Sequence, residues 1–119
     1  MADHLAERWL GLSRLIGNQK VTNLMRMDQV FRALGDPSRM ALLEELRQRN
    51  DQTLFELCVR LINRGHSMSR QAVAKHLAVL REAGLVQVTI SGRTTIHHLD
   101  TTALAHAREW LTDLTKETP

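Results

Sequence analysis

Two cations and an amide lie at helical spacing in the second half of the chain. When residues 70–84 are placed on a helical wheel, one side carries Val73, His76, Leu77, Leu80 and Ala83. The opposite side carries Arg70, Gln71, Ala74, Lys75 and Ala78. Arginine and glutamine side chains bind guanine and adenine edges in the DNA major groove, lysine binds phosphate, and alanine allows close approach. The pattern indicates a DNA-reading face, although an ordinary solvated helix face would look similar.

A metal site or an enzyme active site has much weaker support. Cys58 is the single cysteine, and it falls on the apolar stripe of its helix, where we interpret it as a small core residue. His106 and Glu109, three residues apart, could supply half of a metal site, with His97 or His98 nearby in sequence. There are no paired carboxylates, Ser-His-Asp arrangement or glycine-rich phosphate loop. We therefore expect no enzyme, no cofactor and no metal.

The net charge is small, but it is unevenly distributed. The chain of 119 residues has a formal charge of +3. Residues 60–98 contain six Lys or Arg and one acidic residue, whereas the rest contains ten cations and twelve anions. The basic segment includes the predicted DNA-reading face, as expected of a DNA-binding surface. Aromatic residues make up only 3% of the chain, which argues against single-stranded nucleic acid stacked on aromatic side chains.

Length and composition predict one small globular domain. No apolar run approaches the roughly 18 residues that a membrane-spanning helix needs. The first twenty residues carry Asp3, Glu7, Arg8 and Arg14, where a secretory signal would be apolar. We expect a cytoplasmic protein with no membrane partner.

The first part of the chain reads as three helices. Apolar residues at helical spacing predict an amphipathic helix over residues 3–16, which has no obvious local partner. We interpret residues 17–23 as a polar linker and residues 24–34 as the second helix. Gly35 then ends a helix, Asp36 caps the next one and Pro37 takes its first position. Met40 is expected on the apolar face of this third helix.

The second part predicts a helix pair followed by a hairpin. Thr53 and Glu56 have capping-box spacing at the start of a fourth helix that ends near Arg64. Ser69 caps a fifth helix that runs to Ala83, and alternating residues 86–99 predict a β-hairpin with a Ser91-Gly92 turn. Asp100 or Thr101 begins a last helix. The predicted fold class is mainly α with a small β-hairpin wing, a winged helix-turn-helix, with Phe31 and Phe55 in its core.

The sequence resembles the ArsR family of winged helix-turn-helix transcriptional repressors over about residues 27–100. The resemblance is carried by LGDPSRMALLEEL at residues 34–46, by SRQAVAKHLAVLREAGLV at residues 69–86, and by a wing ending in Gly92-Arg93. It implies a homodimer that binds an inverted-repeat operator, with recognition helices 69–83 in successive major grooves and wings 86–99 over adjacent minor grooves. The implied function is a repressor that blocks access to a promoter.

The resemblance also divides the chain and assigns residues. Residues 1–23 and 101–119 are the expected dimerisation segments, and residues 24–100 form the DNA-binding domain. The expected DNA-binding residues are Ser69, Arg70, Gln71, Ala74, Lys75, Arg81, Arg93 and Thr94. The expected dimer contacts are Leu5, Trp9, Leu12, Leu104, Ala107, Leu111 and Leu114. In the alternative arrangement, the last helix folds back on its own subunit.

Two other functions stay open at this point. A sensing motif of the family resembles Glu-Leu-Cys-Val-Cys, but here Arg60 replaces the second thiolate. A second family site uses ligands on the last helix, and a metal-responsive repressor using His106 and Glu109 is one alternative, although Arg93 and Thr95 stand where its Asp-x-His pair is expected. The other alternative is a winged-helix module that binds an acidic protein. A regulator without a metal site is the interpretation we favour.

Overall fold

Helices and one small sheet account for nearly all of the chain that the computed structural model describes, which is the backbone of residues 2–116 and the side chains of residues 6–116. The elements are α1 Ala2–Ile16, α2 Asn18–Leu34, α3 Pro37–Gln48, β1 Gln52–Thr53, α4 Leu54–Asn63, α5 Arg70–Glu82, β2 Val86–Ser91, β3 Thr94–Leu99 and α6 Thr102–Thr115. The predicted fold class, mainly helical with a β-hairpin wing, is confirmed. None of the described helices is long and apolar enough to cross a membrane.

The break between the first two helices is shorter than predicted. Residues 17–23 were expected to form a linker, but α2 already begins at Asn18 and only Gly17 separates it from α1. Gly17 has φ +89°, a conformation that glycine adopts without steric cost. Val21 lies within the predicted linker but is buried, and the burial of this apolar side chain favours the extension of α2 towards its N-terminus. A single residue therefore separates the two helices.

The start of α3 follows the predicted capping pattern. The Asp36 side chain accepts hydrogen bonds from the backbone amides of Ser38 at 2.8 Å and Arg39 at 3.1 Å, and Pro37 occupies the first turn. The hydrogen bond from Arg39, followed by that from Ser38, holds the pKa of Asp36 below its usual value. The cap therefore stays ionised at neutral pH.

The two helices of the helix-turn-helix, α4 and α5, begin and end on recognisable local signals. The Thr53–Glu56 capping box is formed at the start of α4. At its end, Gly65 at φ +87° donates to the carbonyl of Ile62, and His66 donates to that of Leu61 at 2.8 Å. This pair of bonds is a Schellman motif. It satisfies the last carbonyls of α4 and turns the chain towards α5.

The wing differs from the prediction in two details. Ser91 pairs with Thr94, so the two-residue turn is Gly92-Arg93 and not Ser91-Gly92. Gly92 is the first residue of this turn and has φ +61°, as the first position of such a hairpin turn requires. A third strand, β1, was not predicted; it pairs antiparallel with β3 and gives the sheet order β1-β3-β2. Two residues are too short a segment to show a strand periodicity.

The core lies where α2 to α6 converge on the sheet. Its buried side chains are Val30, Ala33, Leu42, Leu46, Leu57, Leu61, Val73, Leu77, Leu80, Leu85, Val86 and Ala107. Two core predictions are wrong, because Phe55 and Met40 are more than half exposed. Their helices turn Leu57 and Leu42 inwards instead. Phe31 packs on Trp110 with ring centroids 5.7 Å apart, which links α2 to α6.

A buried carboxylate joins α3 to α4. Glu45 is only 1% exposed, and its Oε2 accepts from Arg60 Nε at 2.8 Å. Its other oxygen pairs with Arg64, which also contacts the side chain of Gln48. A buried carboxylate is tolerated only when it is paired and hydrogen-bonded; here Arg60 donates the hydrogen bond and Arg64 forms a second ion pair. The cluster fixes the first helix of the helix-turn-helix against α3.

We predict that Glu45→Gln destabilises the fold, because it leaves Arg60 and Arg64 without their shared carboxylate. The free energy of unfolding should fall by about 1–3 kcal/mol, the range for losing charge-assisted hydrogen bonds at a buried site. Urea denaturation followed by circular dichroism measures this change. The neighbouring Glu44→Gln is a matched control, because Glu44 pairs with Arg47 on the exposed side of α3. Equal losses for both variants would contradict the role of Glu45.

Candidate nucleic-acid interface

The exposed face of α5 carries the side chains that the helical wheel placed there. Val73, Leu77 and Leu80 are at most 4% exposed and pack into the core. The opposite face is exposed to solvent and consists of Arg70, Gln71, Ala74, Lys75 and Ala78. The predicted division of α5 into an inner and an outer face is confirmed. Arg70 and Gln71 lie in the first turn, the end of a recognition helix that reaches base edges.

Ser69 is the N-cap of α5. Its Oγ accepts a hydrogen bond from the backbone amide of Ala72 at 3.1 Å, as predicted for an N-cap. The hydroxyl proton is not used in that bond, so Ser69 can still donate to a phosphate oxygen. One side chain can therefore begin the helix and contact a ligand at its N-terminus.

The second half of α5 faces the wing across a small cavity of about 130 Å³. Ala74, Ala78 and Arg81 line it from the helix, and Thr95 and His97 line it from β3. The small side chains of Ala74 and Ala78 leave this space open. The geometry brings Arg81 next to the wing, whereas Arg70 and Gln71 lie at the opposite end of α5.

The wing places its cation at the tip. Arg93 occupies the second position of the two-residue turn, and Thr94 begins β3; both are exposed. The shift of the turn by one residue therefore moves Arg93 from the predicted strand to the tip. A guanidinium there can reach a phosphate on the far side of a groove.

The free positive charge is more sharply localised than the sequence count indicated. Two of the six cations in residues 60–98, Arg60 and Arg64, pair with Glu45, which lies outside that segment in sequence but not in space. No ion pair within residues 6–116 involves the other four, which are Arg70, Lys75, Arg81 and Arg93. All four belong to α5 or the wing tip. Within residues 60–98, the unpaired positive charge therefore lies on the exposed face of α5 and at the wing tip.

His76 is half-buried on the core side of α5, as predicted. Its Nδ1 lies 3.5 Å from Nη1 of Arg39, whose Nε donates to the carbonyl of Ala33 at 2.7 Å. Arg39 therefore connects the end of α2 to α5 through His76. This position makes His76 a packing residue and keeps it off the outer face.

Cys58 packs against the core, which fits its interpretation as a small apolar residue. Burial raises the pKa of its thiol, and the nearby Arg70 lowers it to a lesser degree.

Burial also lowers the pKa of His97, whose Nδ1 contacts the carbonyl of Gln52 at 3.1 Å. His97 is therefore neutral at pH 7, and it adds no charge to the interface.

His106 and Glu109 lie together on the wall of a half-open cavity of about 590 Å³ between α2 and α6. Met27, Val30 and Trp110 supply apolar lining to the same cavity. Among the described side chains, no group of three or more His, Cys, Asp or Glu has the geometry to hold a metal ion. The two residues share a surface, but the structure brings no third ligand to them.

Some residues that shape the interface were not assigned to it from the sequence. Glu45 neutralises two cations of the basic segment, and its position three residues after buried Leu42 is the signal that was available. Thr95 and His97 line the cavity beside α5, as alternate residues of one strand face. Their contact with the helix depends on how the sheet packs, which periodicity does not show.

Comparison with known proteins finds relatives along the same part of the chain. Residues 34–89 match the family described as "Helix-turn-helix domain". The chain is 51% identical over 67 residues to YuzN of Bacillus subtilis, an uncharacterized HTH-type transcriptional regulator; the match covers 56% of this chain and 73% of YuzN. It is 36% identical over 81 residues to the HTH-type transcriptional regulator Rv2034 of Mycobacterium tuberculosis, covering 68% and 70% of the two chains.

A solved structure extends the similarity to about three quarters of the chain. The chain superimposes on an ArsR-like transcriptional regulator from Rhodococcus sp. RHA1 with a TM-score of 0.67 and 33% identity, covering 76% of this chain and 80% of that one. The helix pair, the wing and the sequence similarity all agree with the resemblance noted at residues 27–100. The chain therefore belongs to the ArsR-like family of winged helix-turn-helix transcriptional regulators.

Proposed function

We propose that this chain is a homodimeric repressor that binds an inverted-repeat DNA operator through α5 and the wing. The observation that carries the proposal is the outer face of α5, where Arg70, Gln71 and Lys75 are exposed beside two alanines. An α-helix fits the major groove, and Arg and Gln side chains pair with guanine and adenine edges there. Sequence-specific binding to duplex DNA follows from this set of side chains.

The wing supplies contacts next to the major groove. With α5 in the groove, the hairpin lies over the adjacent minor groove and Arg93 at its tip reaches the phosphate backbone. The proposed base-reading residues are Arg70 and Gln71, while Lys75, Arg81, Arg93, Ser69 and Thr94 bind the backbone and Ala74 permits close approach. Repression then results when the bound protein blocks access to a promoter.

The proposed dimer is held by apolar surface at the two ends of the chain. On α6, Leu111 and Leu114 are 46% and 64% exposed, and on α1 Leu10 and Leu15 are 65% and 81% exposed. A single subunit leaves these side chains in water, whereas a second copy would bury them. The proposal keeps the division into dimerisation segments at 1–23 and 101–119 and a DNA-binding domain at 24–100.

Several residues expected in the dimer face are already used within the subunit. Ala107 is 4% exposed and belongs to the core, and Leu104 packs against the same cluster. The first turns of α6 therefore do fold back on their own subunit, and only its later turns are free. Trp9 and Leu12 are half-buried, and the side chain of Leu5 lies outside the described residues.

The proposed function is tested by recovering genomic fragments bound by the full chain and titrating them against scrambled duplexes of the same length at fixed salt. We expect binding at least about a thousandfold tighter to recovered fragments, the lower end for specific over non-specific binding. The recovered sites should share an imperfect palindrome. Equal affinity for recovered and scrambled duplexes would contradict sequence-specific recognition.

Substitutions on α5 and the wing should separate base reading from phosphate binding. Gln71→Ala and Arg70→Ala each remove a base contact, so discrimination at one base pair per half-site should fall by about 1–3 kcal/mol. Arg93→Ala should weaken binding to all duplexes alike and reduce the steepness of log K against log salt by about one per subunit, or about two per dimer. Fluorescence anisotropy over a salt series measures both effects.

Arg47→Ala is the matched control, because Arg47 is an exposed cation on α3 that pairs with Glu44. It should leave the affinity and the base preference unchanged. If Arg47→Ala weakened binding as much as Arg93→Ala, the net charge of the chain and not the position of the wing cation would determine affinity. If Gln71→Ala kept the full base preference, Gln71 would not read a base.

The dimer is tested by placing charges on its proposed face. The double variant Leu111→Asp/Leu114→Asp should convert a dimer into a monomer, because burying two carboxylates in an apolar interface costs more than the contacts provide. Sedimentation equilibrium over a range of protein concentrations gives the mass. Ile90→Asp is the control, since Ile90 is 73% exposed on the wing. A dimeric double variant, or a monomeric parent chain at micromolar concentration, would contradict the proposal.

A further inference from the structure

The loop between α3 and α4 reaches across to the base of the wing. The side chain of Asn50 accepts a hydrogen bond from the backbone amide of Leu99 at 2.8 Å. Gln52 and Thr53 pair with His97 and Ile96 as strand β1, and His97 also contacts the carbonyl of Gln52. Residues 50–53 therefore bind β3 by both backbone and side chains.

His98, which lies on β3, contacts both this loop and β2. Its Nδ1 contacts the carboxylate of Asp51, and its Nε2 lies 2.8 Å from Oγ1 of Thr89 on β2. A carboxylate only accepts hydrogen bonds, so Nδ1 carries a proton, and Nε2 shares a hydrogen bond with the Thr89 hydroxyl. One imidazole thus ties the loop to both strands of the wing.

The backbone of Asp51 is held in an unusual conformation to make this contact. It has φ +64° and is the one non-glycine residue between 2 and 116 with a positive φ. Aspartate tolerates the left-handed region better than most residues, but the conformation still costs free energy. Such a conformation persists where surrounding contacts enforce it, and here those contacts go to the wing.

These contacts hold the base of the hairpin and leave its tip free. Residues 96–99 contact the loop, and Thr89 contacts His98. Nearer the tip, Ile90, Arg93 and Thr94 are exposed. The direction of the tip relative to α5 is therefore set at the base. The loop is in turn anchored to the core, because buried Gln52 donates to the carbonyls of Glu45 and Arg49.

We propose that Asn50, Asp51 and His98 form a clasp whose function is to position the wing for contact with DNA. None of the three need touch the DNA; they act through the hairpin and so are positioning residues. The proposal rests on the proposed DNA-binding function. It assigns a role to a loop that lies outside the helix-turn-helix and the wing.

The test combines one measurement without DNA and one with DNA, on the full chain. The variants are Asn50→Ala and His98→Phe, with Asn50→Asp as the conservative variant that keeps the acceptor oxygen. Without DNA, hydrogen exchange should be about fivefold to tenfold faster in residues 86–99 than in the parent chain and unchanged in residues 70–82, as expected for losing about one hydrogen bond. Asn50→Asp should restore the parent rate.

With a recovered fragment, the clasp variants should lose protection of the outer minor grooves while keeping protection of the major grooves. His66→Ala is the matched control, since His66 is exposed on the α4–α5 turn, away from the clasp. If the parent chain shows no specific protection, the proposed function fails, whereas the exchange rates still report on the clasp.

Two results would overturn the clasp. One is wing exchange in Asn50→Ala and His98→Phe that equals the parent rate. The other is faster wing exchange with unchanged minor-groove protection, which would show that the clasp does not position the wing on DNA. If Asn50→Ala accelerates exchange throughout the chain, then the outcome for His98→Phe decides, because that variant leaves the bond from Leu99 to Asn50 in place.

Discussion

Burial of Val73, Leu77 and Leu80 in the core determines how α5 is rotated about its own axis. Successive helical residues differ by 100°, so the three buried positions leave one outward face, and that face holds Arg70 and Gln71. A slip of one residue would expose a leucine and bury a cation, at a cost of several kcal/mol. The same hydrophobic contacts that stabilise the domain therefore present the side chains that we propose read the bases.

Polar contacts then place the neighbouring elements around α5. Glu45 holds α4 through Arg60 and Arg64, so the unpaired cations of residues 60–98 are those of α5 and the wing tip. On the other side, the loop at residues 50–53 holds the base of the wing. Neither arrangement adds a group that contacts DNA in our account. Both control where the contacting groups lie relative to one another.

Much of this architecture could be predicted from local sequence signals. Asp36-Pro37, the Thr53–Glu56 box and Ser69 predicted three helix starts that are observed, because capping depends on residues within one turn. Strand β1 and the pairs of Glu45 could not be predicted, since their partners lie 15 or more residues away. The prediction of Phe55 as a core residue was wrong, because α4 has apolar residues on more than one side and only packing shows which are buried. The residues on the exposed face of α5 were predicted correctly, but the relation of this face to the wing was not.

The central claim is that the outer face of α5 lies in the DNA major groove. Methylation of guanine N7, an atom in that groove, tests this most directly when a recovered operator fragment is probed with and without the protein. The account predicts two protected patches in successive major grooves on one side of the duplex, about 10 base pairs apart. Unchanged methylation of guanine N7 at protein concentrations that saturate the fragment would contradict it.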